Sequence, residues 1–169
     1  GTQTLDIWLS YVIFEKSAYD KITTHDDFAM AVTYVALDHY CKESGELVFV
    51  LPQTFLKAAK GGEGFRKFCI TRDGLEIPFA VTEVYDMLKI SPFRGVASNR
   101  ASVVRFEKNK RMEYPMNYYW ECVPNGAGVV NYHDSYSQAL SKFGCLQLQA
   151  KPINADDPRS PWLTLPQFE

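Results

Sequence analysis

The residue types that most often perform chemistry in proteins are few and scattered in this sequence. Its three histidines, His25, His39 and His133, stand far apart and show neither HxxxH nor HExxH spacing. A histidine metal site usually needs two of them close together on one element, so this spacing argues against a bound metal. Asp134 and Ser135 follow His133, but a catalytic triad is defined by geometry and composition alone does not indicate one.

The cysteines form no recognisable site either. Cys41, Cys69, Cys122 and Cys145 lack CxxC spacing, so neither a zinc site nor a disulfide framework is predicted. We expect them to be reduced and the protein to be cytoplasmic. No apolar run reaches the roughly 18 residues of a membrane span, and the first residues lack the order of a signal peptide, so no membrane association is expected.

A basic stretch around a pair of glycines is a candidate for contact with phosphate. Gly61 and Gly62 interrupt a helical pattern, and the basic residues on either side of them are Lys57, Lys60, Arg66 and Lys67. GxGxxG and GxxxxGK[ST] spacing are both missing, which excludes a nucleotide-binding loop of either type. Contact with a nucleic-acid backbone and an ordinary solvated loop remain as interpretations, and composition favours the solvated loop.

The composition allows one sizeable hydrophobic core. The chain has 169 residues, of which 46% are hydrophobic, and its formal net charge is -2. A chain of this size forms one domain or a large part of one. Because the charge is nearly neutral, any contact with DNA must be local.

The apolar run at 46–54 organises the rest of the predicted fold. It begins after Ser44 and Gly45 and stops at Pro52, which predicts a central strand buried on both faces. Hydrophobic periodicity predicts helices at 5–19 and 28–40, and a helix at 53–69 that is broken at the glycine pair and resumes around 65–70. This order suggests half of a doubly wound α/β sheet.

Two further strands are predicted at 75–87 and 101–108. A modest loop joins them, which favours an antiparallel hairpin at the edge of the sheet. Beyond residue 109 aromatic residues crowd together, at Tyr114, Tyr118, Tyr119 and Trp120. The tail at 152–166 contains four prolines and is expected to be an extended connector.

The order of several sequence blocks resembles a known enzyme family. The chain contains, in this order, ELVFVLPQTFLK, GGEGFRKF, VTEVYDMLKISPF, GVASNRASVVRFEK, EYPMNYYW and KPINADDPRSPW. Together they resemble the DNA adenine-N6 methyltransferases of bacterial restriction-modification systems, in particular the large fused restriction-methylation enzymes. The resemblance extends over about residues 5–162.

The resemblance implies an α/β fold, a partial Rossmann-like methyltransferase sheet flanked by helices. This chain would carry strands five to seven of that sheet, with an antiparallel terminal hairpin. Residues 47–51 are similar to the fifth strand, 75–86 contain the sixth and 101–106 match the seventh. Residues 1–110 would then be the second half of the catalytic domain, and 111–169 an extension toward a target-recognition region.

The resemblance also implies a function. Enzymes of this family transfer a methyl group from S-adenosylmethionine to adenine N6 in double-stranded DNA, after the base has left the duplex. Phe93 matches the aromatic residue that covers the extruded base; alternatively, it packs the loop onto the core.

Other residues match segments that lie near the DNA or the cofactor. The candidates for DNA contact are Lys57, Lys60, Arg94, Asn99 and Arg100. Asn99 could instead cap a turn beside a surface Arg100. Asp27 and Phe28 match a segment close to the cofactor, although the sequence favours an N-terminal helix cap as the role of Asp26 or Asp27.

Two motifs of the family are missing from the sequence. One is the glycine-rich turn that binds S-adenosylmethionine, and the other is the Asn/Asp-Pro-Pro-aromatic tetrapeptide. We therefore expect the isolated chain to contain no catalytic residue, not to bind S-adenosylmethionine, and to self-associate through its half-sheet. The alternative function is a noncatalytic module that binds DNA or a protein through an aromatic surface at 114–120.

Overall fold

The structure, a computed structural model, describes residues 2–13, 28–87, 101–122 and 144–166, together with 135, 137, 138 and 141. Seven strands within these ranges form an open sheet, and short helices accompany it. The predicted mixed α/β class is therefore confirmed. None of the helices in the described ranges has the length and apolar character needed to cross a membrane.

Helices are short in the described part of the chain. They are α1 (Thr2–Ser10), α2 (Phe28–His39), the single turn α3 (Thr54–Lys57) and a 3-10 turn at Phe65–Lys67. The predicted helix at 28–40 is confirmed, because Met30, Tyr34 and Leu37 recur at helical spacing and are all buried.

The first helix is shorter than its hydrophobic periodicity predicts. It ends at Ser10, and Val12 adopts a left-handed φ of 53° with 54% of its surface exposed. Trp8 and Ile13 are both buried, so the apolar spacing continues after the backbone has left the helix. Hydrophobic periodicity alone does not predict where the backbone leaves the helix. Residues 14–19 of the predicted helix lie outside the described ranges.

The predicted second helical piece at 65–70 is wrong beyond its first turn. Phe68 takes a left-handed conformation with φ of 48°, and Cys69 begins a strand. The break at the glycine pair is confirmed, since residues 61–64 form turns.

The sheet combines antiparallel and parallel pairs. Its strands are β1 (Glu46–Pro52), β2 (Cys69–Arg72), β3 (Leu75–Asp86), β4 (Ala101–Lys108), β5 (Met116–Cys122), β6 (Gly144–Pro152) and β7 (Trp162–Pro166). The spatial order is β1-β4-β3-β5-β6-β7, and β2 pairs with the start of β3. Only β3 and β5 pair in parallel; the other pairs in the described ranges are antiparallel.

The strand β1 is not the central strand that its composition predicts. It pairs with β4 and stands at the end of the described sheet. Leu51 is buried, whereas Val48 and Val50 are 57% and 56% exposed. A continuous apolar run hides this alternation, because valines on an open face cannot be distinguished by residue type from leucines facing a core.

The predicted hairpin of β3 and β4 is confirmed as an antiparallel pair, with a register shift between Val81 and Glu83. Its predicted position at the sheet edge is wrong, because β4 lies between β1 and β3. Asp73 and Gly74 form the turn before β3. Their φ values of 52° and 77° suit the two-residue turn that connects β2 to β3.

The tail at 152–166 is part of the folded sheet and not the extended connector that its prolines predict. It turns after β6 and returns as β7, with Trp162 buried. The Arg66 Nε donates a hydrogen bond to the Arg159 carbonyl at 2.6 Å, and Arg159 Nη2 donates to the Ile13 carbonyl at 2.8 Å. This tail is therefore a structural part of the sheet and core. The predicted boundary between residues 110 and 111 stays a prediction.

The core lies between the helices and one face of the sheet. Tyr34 of α2 is fully buried and makes edge-to-face ring contacts with Trp8, Phe65 and Phe79. Its hydroxyl donates to the Phe65 carbonyl at 2.8 Å, which satisfies the polar end of an otherwise apolar side chain. We call the other side of the sheet, which carries Val50, the open face.

Candidate functional site at the carboxyl edge of the sheet

Three strands end at the same edge of the sheet. Both β1 and β3 run antiparallel to β4, and β5 runs parallel to β3, so β1, β3 and β5 share one direction. In sheets that contain parallel strands, ligands usually bind beyond the carboxyl ends. The edge where these strands end is therefore the first place to search for a functional site.

A buried carboxylate marks this edge. Asp86 is the last residue of β3, and it is 1% exposed. It accepts hydrogen bonds from Gln53 Nε2 at 3.2 Å, from Lys57 Nζ at 3.3 Å and from the Tyr118 hydroxyl. Because a buried charge is tolerated only when it is paired and hydrogen-bonded, these contacts explain how β3 can end on an aspartate.

Each partner of Asp86 comes from a different element. Gln53 directly follows β1, Lys57 ends α3, and Tyr118 lies on β5. The Asp86 network, defined as these four residues, therefore joins the three parallel-running strands and the helix that follows β1. Lys57 Nζ also lies 4.6 Å from the centre of the Tyr118 ring, a cation-π contact.

The Tyr118 hydroxyl acts as a donor in this network. Burial, then the negative charge of Asp86 and the hydrogen bond to it, raise the pKa of Tyr118 far above its ordinary value. Tyr118 is 1% exposed, so the neutral hydroxyl is the form that the site favours at neutral pH.

The same edge holds both ends of the segment that contains Phe93. The Met87 amide donates to the Ala101 carbonyl at 3.0 Å, and Asp86 faces Ser102 across the β3–β4 pair. Ser102 Oγ in turn donates to the Leu51 carbonyl at 3.0 Å, which ties this point to β1. The hydrogen-bonded frame at residues 86–87 and 101–102 thus fixes the two described positions that flank residues 88–100.

Most of the predicted site residues lie outside the described ranges. These are Asp27, Phe93, Arg94, Asn99 and Arg100, and their roles stay predictions. Phe28 is the first residue of α2 and is 51% exposed.

The basic stretch around the glycine pair does not form one cationic surface. Arg66 is fully buried, and its guanidinium donates to the carbonyls of Phe55 and Ala59. Lys67 Nζ donates to the Val12 carbonyl and to Thr71 Oγ1. Of the two predicted DNA contacts in this stretch, Lys57 is paired with Asp86, whereas Lys60 is exposed.

The aromatic run at 114–120 does not form one surface either. Tyr118 points into the core, whereas Tyr119 lies on the open face, where its ring stacks on Tyr85 with centroids 4.9 Å apart. Tyr114 contacts the buried Trp162 edge-to-face at 5.6 Å. Side chains alternate along a strand, so neighbouring tyrosines on β5 necessarily separate.

A second buried carboxylate has a structural role. Asp38 of α2 pairs with Arg72 Nη1 at 2.6 Å and accepts a hydrogen bond from the Tyr11 hydroxyl at 3.0 Å. His39 Nε2 lies 3.3 Å from the same carboxylate. The described ranges contain no group of three or more histidine, cysteine or acidic side chains placed to hold a metal ion.

A surface cleft lies away from the Asp86 network. It has a volume of about 170 Å³ and lies beside the first half of β3 and the start of β5, where Val81, Arg111 and Asn117 contribute to its walls. The Val81 amide donates to the Met112 sulfur at 3.0 Å within this region. It is a shallow polar depression, and the buried network at the carboxyl edge remains the stronger candidate.

Sequence patterns did not assign Gln53, Asp86 or Tyr118 to a common site. One signal was present in the sequence, since Asp86 closes a long β-type run in which a buried acidic residue needs a partner. No family model matches this sequence, and no curated protein matches it.

Proposed function

We propose that this chain is the trailing part of the catalytic domain of a DNA adenine-N6 methyltransferase that belongs to a restriction-modification system. The parent protein would transfer a methyl group from S-adenosylmethionine to adenine N6 in double-stranded DNA. The chain would supply residues that surround the extruded base, while the cofactor turn and the catalytic tetrapeptide would come from another part of the parent.

The observation that carries this proposal is the arrangement of β1, β3 and β4. In the resemblance, the terminal strands form an antiparallel hairpin, and β3 and β4 pair in this way. The strand similar to the fifth, β1, pairs with the same hairpin along its whole length. We therefore propose that the α/β fold contains a partial Rossmann-like sheet built from these three strands.

The position of the Phe93 segment also supports the proposal. Residues 88–100 begin after Met87 and end before Ala101, at the edge where β1, β3 and β5 terminate. A base extruded from a duplex needs a stacking surface beside the reacting centre, and a loop at the carboxyl edge is a suitable place for one.

The structure changes which basic residues we propose for DNA contact. Lys60 is exposed and retains that role in the proposal, together with Arg94, Asn99 and Arg100. Lys57 would instead stabilise the site by neutralising the charge of Asp86, with which it forms an ion pair at 3.3 Å.

The test uses the full-length reading frame that contains these residues. We expect it to encode a glycine-rich turn and an Asn-Pro-Pro-aromatic tetrapeptide upstream, and the purified product to label adenine N6 from S-adenosylmethionine. We expect Phe93→Ala to reduce this labelling without lowering stability, because the change removes a stacking ring. Absence of both motifs together with absence of methyl transfer would refute the proposal.

A second measurement tests whether the S-adenosylmethionine site lies outside this chain. Calorimetry with the 169-residue chain and S-adenosylmethionine is expected to give no binding heat, since the sequence contains no glycine-rich cofactor turn. Saturable binding would show that the cofactor site has been assigned to the wrong part of the protein.

A further inference from the structure

The strand β1 has one paired edge and one free edge in the described part of the chain. It pairs with β4 over its full length, from Glu46 opposite Glu107 to Pro52 opposite Ala101. No described strand pairs with its other edge. A free edge presents unpaired backbone donors and acceptors, so it can accept another strand.

The hydrogen-bond pattern shows which backbone groups face the free edge. The Lys108 amide donates to the Gly45 carbonyl at 3.0 Å, and these residues stand opposite each other one position before the β1–β4 register begins. Paired and unpaired positions alternate in an antiparallel ladder. Leu47, Phe49 and Leu51 therefore bond to β4, whereas Glu46, Val48 and Val50 direct their backbone groups outward.

The middle of this edge lacks the features that usually prevent strand addition. It contains no lysine, and its register with β4 has no bulge. The residues with outward backbone groups are also those with exposed side chains, since Val48 and Val50 are 57% and 56% exposed. Natural sheets normally block such an edge with charge, proline or a bulge, and here the charged Glu46 and Pro52 stand only at the two ends of the strand.

We propose that the occupant of this edge is the β1 strand of a second copy of the chain, paired antiparallel about a two-fold axis at Phe49. In this register Val48 of each copy stands opposite Val50 of the other copy, so the interface contains two such pairs. Each such pair exchanges two backbone hydrogen bonds and adds a contact between β-branched side chains.

The ends of the strand fit the same register. Glu46 stands opposite Pro52 of the second copy, so no like charges face each other across the axis. The Glu46 amide can donate to the Pro52 carbonyl, and proline has no amide that would be left without an acceptor. An interface of this type is self-complementary, as a two-fold axis requires. The inference goes beyond the proposed function and concerns the 169-residue chain by itself; in the parent protein of the proposed function, the missing strands of the sheet would compete for this edge.

Sedimentation of the 169-residue chain over a wide concentration range tests the association. We expect a reversible dimer. The double variant Val48→Lys with Val50→Lys should weaken association by roughly tenfold or more, because like charges then face each other across the pair. Leu75→Lys and Ile153→Lys are matched controls, since these side chains are 66% and 65% exposed elsewhere, and both should leave the dimer unchanged.

A charge exchange tests the register. The double variant Val48→Glu with Val50→Lys sets opposite charges against each other twice in the proposed register, so it should associate more tightly than the lysine double variant. In a register centred on Val48, the same substitutions would set two glutamates face to face. Circular dichroism should show an unchanged fold for all of these exposed-site variants.

Hydrogen exchange provides an independent measurement on the wild-type chain. The Val48 and Val50 amides should be protected at high concentration and exchange rapidly on dilution, whereas the Phe49 amide should be protected throughout. The proposal is overturned by a monomer at all concentrations, by association that survives the lysine double variant, or by loss of association in either control. It is also overturned if the Val48 amide stays protected in the monomer, because another part of the same chain would then cover the edge.

Discussion

The hydroxyl of Tyr118 donates a hydrogen bond to the buried carboxylate of Asp86, and this contact joins β5 to the end of β3. The two residues are 32 positions apart in sequence. Together with Gln53 and Lys57 they hold the carboxyl ends of the strands that run in parallel directions. The side-chain contacts that hold the candidate site together are therefore polar and buried. Single substitutions in them should change the free energy of unfolding measurably.

Tyr118→Phe removes the donor and keeps the ring. We expect the free energy of unfolding to fall by about 1–3 kcal/mol, because a buried carboxylate loses a hydrogen bond. Urea denaturation measures the change. Tyr119→Phe is the matched control on the next position of β5, where the ring lies on the open face, and it should change stability by less than about 0.5 kcal/mol. Equal effects of the two variants would contradict the role of Tyr118.

Lys57→Met tests the ion pair with Asp86. Methionine keeps most of the aliphatic length but removes the ion pair that Lys57 forms with the carboxylate, so we expect a loss of about 1–2 kcal/mol. The side chain of Lys57 is 30% exposed, which lowers the expected loss below that of a fully buried pair. Lys60→Met, at an exposed position, should be nearly neutral. An unchanged midpoint of denaturation in Lys57→Met would show that the pair contributes nothing.

Gly62→Ala tests the close packing of the turn beneath α3. A Cβ at this position would lie 2.0 Å from the Phe55 carbonyl oxygen and 2.7 Å from Arg66 Nη1. The backbone must therefore move, and we expect a loss of about 3 kcal/mol.

The control for this variant is Gly74→Asn. Gly74 has a φ of 77°, and no atom lies within 4 Å of the position that a Cβ would occupy there. Asparagine also tolerates left-handed backbone. We expect a change below about 1 kcal/mol in the same thermal or urea denaturation. A similar loss at both glycines would attribute the effect at Gly62 to chain flexibility and not to the close contact.

Alkaline pH should destabilise the fold. Burial is the largest cause that raises the pKa of Tyr34 and of Tyr118 above the unfolded value of 10.0. The native state therefore holds these protons more tightly, so their contribution to stability is complete below about pH 10 and is lost as the pH rises further. Denaturation at a series of pH values measures this decline, and the decline should be shallower in Tyr118→Phe. Stability that rises above pH 10 would contradict the assignment.

Local patterns were sufficient for several elements of the fold. The helix at 28–39 and the strands β3 and β4 follow from residues that are neighbours in sequence, and Asp73 and Gly74 suffice to specify a two-residue turn. The position of β1 did not follow in this way. Its partner, β4, begins about 50 residues later, and both faces of β1 carry apolar side chains.

The candidate site was predictable only in part. Lys57 was recognised as a basic residue, but its partner Asp86 is 29 positions away, so the sequence suggested an exposed cation. Tyr118 was grouped with neighbouring aromatic residues because its strand, β5, was not predicted. Alternation along that strand separates Tyr118 from Tyr119, and only the pairing with β3 and β6 reveals which of them faces the core.

The hydrogen bonds of Arg159 have a consequence for how this chain is synthesised. Its carbonyl accepts from Arg66 and its guanidinium donates to Ile13, 146 positions earlier. A nascent chain that has emerged only as far as β4 has neither contact, although Trp8 and Tyr11 already lie beside Tyr34 and Asp38 of α2. The start of the chain can therefore dock on α2 early in synthesis, and the tail adds its hydrogen bonds to this unit later.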